Sequence, residues 1–418
     1  MKAAEPSALN STRIAPMRPL RILVVATKSP WPPVDGGRLV LLATLEALAA
    51  AGHRLELVAP CPGSDADRAA AAEALAPCCV PHLVAAAPRS AIVAAAVGAV
   101  RGLPATVVLH TLRAVHDRVA ELLAGGGFDA VHAEQLHALP QAVPALDLGV
   151  PLLHRAHNVE SVLWAFAAEH RPPPLRSLLA LEARRVSAFE ARALDAVGCT
   201  VALTELDRRV FAEMAPAAPV HVVPPPFPAE LPANETPLEG EPAVVTLVSP
   251  TWAPSRDAVR RLVARSWPEV RRRLPGAVLH LFGGGRELAT GPGVVPHPPP
   301  ADSREAFPVG AVALVPLRHP TGVPMKALEA WARGLPLVVD PTTAAALGAT
   351  DGVDVVVADP PDGWAAAIER LAEDGELARR VVAGGRRALE EHHDPVAAAE
   401  RLVSAYRLAA RTAAARAR

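Results

Sequence analysis

The sequence predicts an α/β protein of two Rossmann-like domains facing a shared cleft, each a parallel sheet with helices on both sides. Three observations lead there. A chain of 418 residues, half of them apolar, exceeds what one ordinary core fills, so two domains are expected. Two separate stretches alternate short apolar runs with segments of helical spacing, the pattern of repeated βαβ units. Between them, VVPPPFPAELPANETPLEGEP (222–242) is dense in proline and has no periodicity, which marks a linker. The expected organisation is a flexible N-terminal segment (1–20), an N-terminal domain (21–223), a linker (224–242), a C-terminal domain (243–395) and a last helix (396–418) packing back across the domains.

Taken in order, RILVVA (21–26) is the continuous apolar run of a strand buried on both faces. The loop TKSPWPPVDGG follows, and then RLVLLATLEALAAAG, whose apolar residues recur at helical spacing and stop at Gly52. HRLELVAP (53–60), FDAVHAE (128–134), VPLLHRAH (150–157) and AVGCTVAL (196–203) read as further strands. The second series opens with AVVTLVSP (243–250) and continues through AVLHLFGGG (277–285), AVALVPL (311–317), a helix over 324–333 and LPLVVD (335–340). The segments 361–392 and 395–418 are amphipathic helices. Ligands of such sheets bind beyond the carboxyl ends of the strands, so site residues belong in the loops that follow them.

Composition narrows the function. A net charge of −1 with 3% aromatics lacks the basic, stacking-rich signature of a nucleic-acid binder. Cys61, Cys78, Cys79 and Cys199 form no CxxC pair and no zinc pattern, consistent with a reducing compartment. The first residues have no long apolar core of a secretory signal. The longest apolar run, AIVAAAVGAV (91–100), is shorter than the ~20 residues that span a bilayer. A cytoplasmic protein is expected, with at most peripheral membrane contact through the arginine-bearing tail YRLAARTAAARAR. His132, Glu134 and His137 in HAEQLH lack the i, i+4 spacing of a helical zinc site, and LFGGGREL lacks the last glycine of a dinucleotide loop.

HPTGVPMKALEAWARGLPLVV (319–339) holds one of only three lysines in the chain. Pro324 suits a helix start and Gly334 its stop. Lys326 then lies in the first turn, where the helix dipole disfavours a cation by about 0.3–1 kcal/mol unless an anion is bound. Helix N-termini after strands are ready anion sites. Glu329 shares the face of Lys326, so a surface ion pair between them is the competing reading.

The stretch TGVPMKALEAWARGLPLVV resembles the donor site of the retaining family 4 glycosyltransferases, which have the two-domain GT-B fold. The second glutamate of their Glu-x7-Glu signature falls on Glu329, which the resemblance implies binds the ribose hydroxyls of a nucleotide sugar, a task for which a carboxylate has two acceptor oxygens. The first glutamate falls on Thr321, so the motif is degenerate; a subgroup with glycine-rich residues there carries a lysine where Lys326 stands. RILVVATKSPWPPVDGG resembles the family's first strand and glycine loop, implying that Gly36, Gly37 and Lys28 approach a phosphate or the acceptor. LLHRAHNVESVLW places His157 at the family's active-site histidine. The Arg/Lys pair that commonly grips the pyrophosphate is replaced in SPTWAPSRDAVRRL by a tryptophan-bearing loop, which leaves Arg256 and Lys326 as cations. The resemblance implies a nucleotide-sugar donor on the C-terminal domain, an acceptor on the N-terminal one, backbone contacts to the sugar from Gly322 and Val323, retention of anomeric configuration, and no cofactor or obligatory metal. The alternative is a non-catalytic nucleotide-sugar-binding relative.

Overall fold

The computed structural model describes residues 18–416 apart from 170, 250–252, 318–320 and 360. Most of the proposed N-terminal segment, and Thr251 and Trp252 of the tryptophan-bearing loop, lie outside the described residues.

Two all-parallel sheets organise the chain. The first contains β1 (Arg21–Val25), β2 (Arg54–Pro60), β3 (Val80–Val84), β4 (Ala130–Glu134), β5 (Leu152–Ala156), β6 (Cys199–Ala202) and β7 (Val220–Val222), in the order β3-β2-β1-β4-β5-β6-β7. The second contains β8 (Ala243–Leu247), β9 (Val278–Phe282), β10 (Val294–His297), β11 (Val312–Val315), β12 (Leu337–Val339) and β13 (Val356–Val357), in the order β10-β9-β8-β11-β12-β13. The apolar runs became the inner strands: Ile22 to Val25 of β1 and all of β4, β5 and β6 are buried. β3, β7, β10 and β13, which the sequence reading did not anticipate, are the four sheet edges. Pro81 and Pro296 sit in two of them, where a missing N–H is tolerated.

Each sheet is packed on both faces. In the first, Leu45 and Leu48 of the helix Gly36–Ala50 and Leu402, Tyr406 and Ala409 of the C-terminal helix Pro395–Arg416 share one cluster with Leu153 and Val201. The last helix therefore belongs to the core of the opposite domain. The proline-rich linker is pinned rather than free: Leu231 N–H donates to Ala332 O, Asn234 N–H to Phe307 O, and Arg304 to Ala233 O. Val40 packs in the same apolar cluster as Met325 and Leu328, so the two domains are in contact.

Strand order reverses between β1 and β4 in one sheet and between β8 and β11 in the other. Crevices at such switch points, beyond the carboxyl ends of the strands, are where open α/β sheets bind ligands.

Candidate active site

The N-terminal side of the crevice is a hydrogen-bonded chain that starts in the core. Tyr406 Oη lies 2.6 Å from His132 Nδ1, His132 Nε2 lies 2.7 Å from Glu134 Oε2, and Glu134 Oε1 lies 2.5 Å from His157 Nε2. Beyond the imidazole, Gln135 Nε2 is 3.1 Å from His157 Nδ1, and Thr27 Oγ1 donates to Gln135 Oε1 at 3.0 Å. Burial alone would raise the Glu134 carboxyl, but His157, Arg155 and His132 outweigh it and hold it well below the usual range. An ionised carboxylate only accepts, so both imidazoles carry their proton on Nε2 and point it at Glu134. Nδ1 of His157 then accepts from Gln135, and Nδ1 of His132 accepts from the tyrosine hydroxyl. Both ring nitrogens of His157 are thereby engaged within the protein, and the ring is fixed in tautomer and orientation.

Gln135 occupies φ 70°, ψ 157°, a region almost reserved for glycine. Holding a glutamine there costs about 1–3 kcal/mol, and such strain clusters at functional sites. Here it turns the chain sharply after β4 and carries the carboxamide under His157. Glu160 is the next carboxyl along; burial pushes it up to about 7, despite a bond from Asn158 and the proximity of His157.

On the C-terminal side the helix is Met325–Ala332, with Pro324 at its N-cap and Gly334, at φ 71°, just past its end. Lys326 stands in the first turn, and its Nζ donates to Leu247 O, at the carboxyl end of β8, at 2.5 Å. Burial pulls its pKa down to about 8. Among the described residues no carboxylate pairs with it. The surface ion pair with Glu329 is thus overturned. Glu329 instead faces Arg333, one turn on: Oε1 accepts from Arg333 Nη2 at 2.9 Å and Nε at 3.2 Å, and also from Ser303 Oγ. The Arg333 guanidinium also donates to Pro232 O of the linker.

Thr321, read from the sequence among the donor contacts, sits where the two domains meet: its buried hydroxyl donates to Asp207 Oδ1 at 2.5 Å and accepts from Val159 N–H at 2.7 Å. Asp207, in the N-terminal-domain helix Glu205–Met214, also accepts from Gly322 N–H at 3.1 Å and Thr204 Oγ1 at 2.8 Å. Gly322 has φ 77°, and a Cβ there would lie 2.3 Å from Asn158 Oδ1 and 2.7 Å from His157 O. Only glycine lets this loop close onto the end of β5.

The remaining candidates spread around the crevice. Gly36 and Gly37 open the helix Gly36–Ala50. A Cβ on Gly36 would meet Met325 Cγ at 3.2 Å, and one on Gly37 would meet Gln135 Nε2 at 3.2 Å and His157 Nδ1 at 3.7 Å, so both glycines border the site. Lys28 is held 2.8 Å from Asp35, the cap of that helix. Val323 is partly buried against the C-terminal-domain core. Arg256, in the helix Ala253–Arg261, lies 3.9 Å from Glu287. Sequence reasoning missed Gln135, Asp207, Glu160 and Arg333. Only Arg333 left a signal, its i, i+4 spacing from Glu329.

Comparison with known proteins agrees with this architecture. Residues 34–231 match the model of Glycosyltransferase Family 4, and residues 242–374 match that of Glycosyl transferases group 1. No curated protein matches the chain in sequence. Among solved structures, a sucrose-phosphate synthase from Thermosynechococcus elongatus superposes with a TM-score of 0.67 at 16% identity, covering 93% of this chain and 98% of that one. The Anabaena protein HepE in complex with UDP and glucose gives 0.61 at 14% identity, over 92% and 98%. A glycosyltransferase from Rickettsia africae gives 0.60 at 11% identity, over 94% and 99%. At these identities the solved structures establish the shared fold.

Proposed function

The chain is a glycosyltransferase of the GT-B type, a family 4 domain followed by a group 1 domain, and on that premise we propose that it moves a sugar from a nucleotide-sugar donor to an acceptor with retention of anomeric configuration. The observation that carries this reading is Lys326. An ammonium lowered to about 8 by burial, set at a helix N-terminus with no carboxylate partner among the described residues, is a cation waiting for an anion. The diphosphate of the donor is that anion, and the Anabaena neighbour in complex with UDP-glucose supports a donor of this class.

In this reading the C-terminal domain holds the donor. Glu329 accepts from the ribose hydroxyls; its Oε1 already takes Ser303 and Arg333, so the second oxygen is the one the ribose uses. Lys326 and the helix N-terminus stabilise charge developing on the leaving diphosphate. Arg256 supplies a further cation. Backbone at Gly322 and Val323 and the ring of His157 set the sugar's orientation. His157 acts as a rigid wall, because Glu134 and Gln135 occupy its nitrogens, and it bonds the sugar only where the Gln135 carboxamide gives way. The Thr321–Asp207 contact keeps the domains closed over a donor that water would otherwise hydrolyse. The chemistry draws on no metal ion.

The test is a thermal-stability screen against UDP-, GDP-, ADP- and dTDP-sugars, followed by nuclear magnetic resonance of the product formed from the donor that binds. A stabilising donor whose sugar is transferred with its anomeric configuration kept supports the reading. Stabilisation without release of diphosphate marks a binding protein, and an inverted product removes retention.

A further inference from the structure

Two glutamates of one helix reach inward to the starts of two others. On Leu175–Ala196, Glu182 and Glu190 stand about two turns apart and both are buried. Glu190 accepts from two successive amides, Glu160 N–H at 2.7 Å and Ser161 N–H at 3.0 Å, which open the helix Glu160–Glu169. Glu182 serves the helix Ala105–His110 in the same way, accepting from Ala105 N–H and, at 3.4 Å, from Thr106 N–H. Elsewhere the chain caps helices locally: Asp35, Ser64, Thr204 and Asp374 each bond amides of the helix they precede. Before these two helices stand Pro104 and Val159, whose side chains cannot accept a hydrogen bond. A local cap fixes a helix to its own preceding residue. A remote cap ties it to another element, here the long helix whose Val186 and Leu194 are set in the N-terminal-domain core.

What the Glu190 cap holds sets it apart. The residues just before Glu160 carry contacts of the N-terminal domain at the crevice. His157 supplies its ring, Asn158 Oδ1 stands against Gly322, and Val159 N–H donates to Thr321 Oγ1 at 2.7 Å. Burial, helped by the neighbouring Glu160, pushes Glu190 up to about 7 against the pull of Ser161 and the two amides. A serine at the helix start would cap it without burying a carboxylate, but would not tie it to Leu175–Ala196.

We propose that Glu190 is a positioning residue of the transfer site. By gripping the Glu160 and Ser161 amides it sets residues 157–159 in place, so that His157 faces the crevice and Asn158 and Val159 meet Thr321 and Gly322 of the other domain. Glu190 is itself closed off from the crevice, at 2% exposure, and acts only through this loop. Its effect on turnover rests on the glycosyltransferase reading; its hold on the domain contact does not.

Hydrogen exchange on the full chain without ligand tests that hold. Glu190→Gln keeps the volume, but its carboxamide turns N–H groups of its own toward one of the two amides. Exchange at Glu160 and Ser161 should be faster by about tenfold or more, and so should exchange at Val159 and Gly322, whose N–H groups bond across the domains. Glu182→Gln removes the sister cap and should speed exchange at Ala105 and Thr106 while leaving Val159 and Gly322 protected. With the donor found in the stability screen, Glu190→Gln should lower kcat by about tenfold and change KM by less than about threefold, whereas Glu182→Gln should change neither. Should Glu190→Gln not fold, Glu190→Asp, one methylene short of the amides, makes the same comparison. Wild-type exchange at Val159 and Gly322 in the Glu190 variant overturns the proposal, because Glu190 is then an ordinary helix cap. An equal rise at those amides in Glu182→Gln overturns it too, as general loosening, and so does an unchanged kcat. Wild-type protein that transfers no sugar removes the transfer reading instead, and exchange at Val159 then decides alone.

Discussion

Lys326→Met isolates the charge on which the functional reading depends. Methionine keeps an apolar stem in the first turn of Met325–Ala332 and removes the ammonium. The ordinary lysine value of 10.5 falls to about 8 in the fold. At about 1.36 kcal/mol for each tenfold change, keeping this group charged at pH 7 costs the unliganded protein on the order of 3 kcal/mol. Losing the bond to Leu247 O gives back about 1 kcal/mol. The unliganded variant should therefore be more stable by about 1–2 kcal/mol, a rise of about 2–8 °C for a domain of this size. The sign follows from linkage. Below about pH 8 folded and unfolded chains both hold the proton and the whole cost is present. Between about 8 and 10.5 the folded chain releases it first, so wild-type stability rises with pH there and the variant's does not. Binding runs the other way: a nucleoside diphosphate should lose about 2–5 kcal/mol of affinity, the range for removing one partner of a buried charge pair, while the bare nucleoside is unaffected. In wild-type protein the diphosphate should bind more weakly as pH rises through about 8, because the free lysine loses its proton. Calorimetric titration of both ligands and a melting series in pH read all of this. Equal losses for nucleoside and diphosphate, or a variant less stable than wild type, would refute the reasoning.

Three further perturbations follow. Glu329→Gln keeps the volume beside Arg333 but removes the charge, and donor affinity should fall by about 1.5–3 kcal/mol in titration; unchanged affinity moves the ribose elsewhere, and Ala is the poorer choice because it strands a buried arginine. His157→Ala should lower kcat more than it raises KM, whereas Tyr406→Phe, at the far end of the same chain, should leave kcat within about threefold; equal losses in both variants would make the whole chain structural. Asp207→Asn sets an amide where Thr321 Oγ1 and Gly322 N–H now donate, so small-angle scattering should show a larger radius of gyration and the donor KM should rise; an unchanged radius would mean that this contact does not hold the domains closed.

The inner strands were legible because burial on both faces makes them unbroken apolar runs, as in RILVVA and LLHRA. The edge strands were not: VPHLV carries a proline and a histidine, and Val356–Val357 is too short to leave a pattern. The unusual placement of Lys326 was readable from helix start and stop signals alone. What it bonds to was not, since Leu247 lies 79 residues away and is reached only through the sheet. The same holds for Thr321, whose partners Asp207 and Val159 come from the other domain, and for the pairing of Tyr406 with His132 across 274 residues. The histidines and glutamate of HAEQLH drew attention as metal ligands, yet two of them instead orient a third residue, His157, with a glutamine whose strained backbone no sequence pattern reveals.

Release of nucleoside diphosphate from the donor that stabilises the protein, compared between wild type and Lys326→Met, tests the account most directly. Wild-type protein should release it steadily in the presence of acceptor, and the variant should be slower by about a hundredfold or more at saturating donor, the loss expected when a group that stabilises transition-state charge is removed. A variant that releases diphosphate at the wild-type rate would contradict the account, because the buried ammonium would then serve no developing charge.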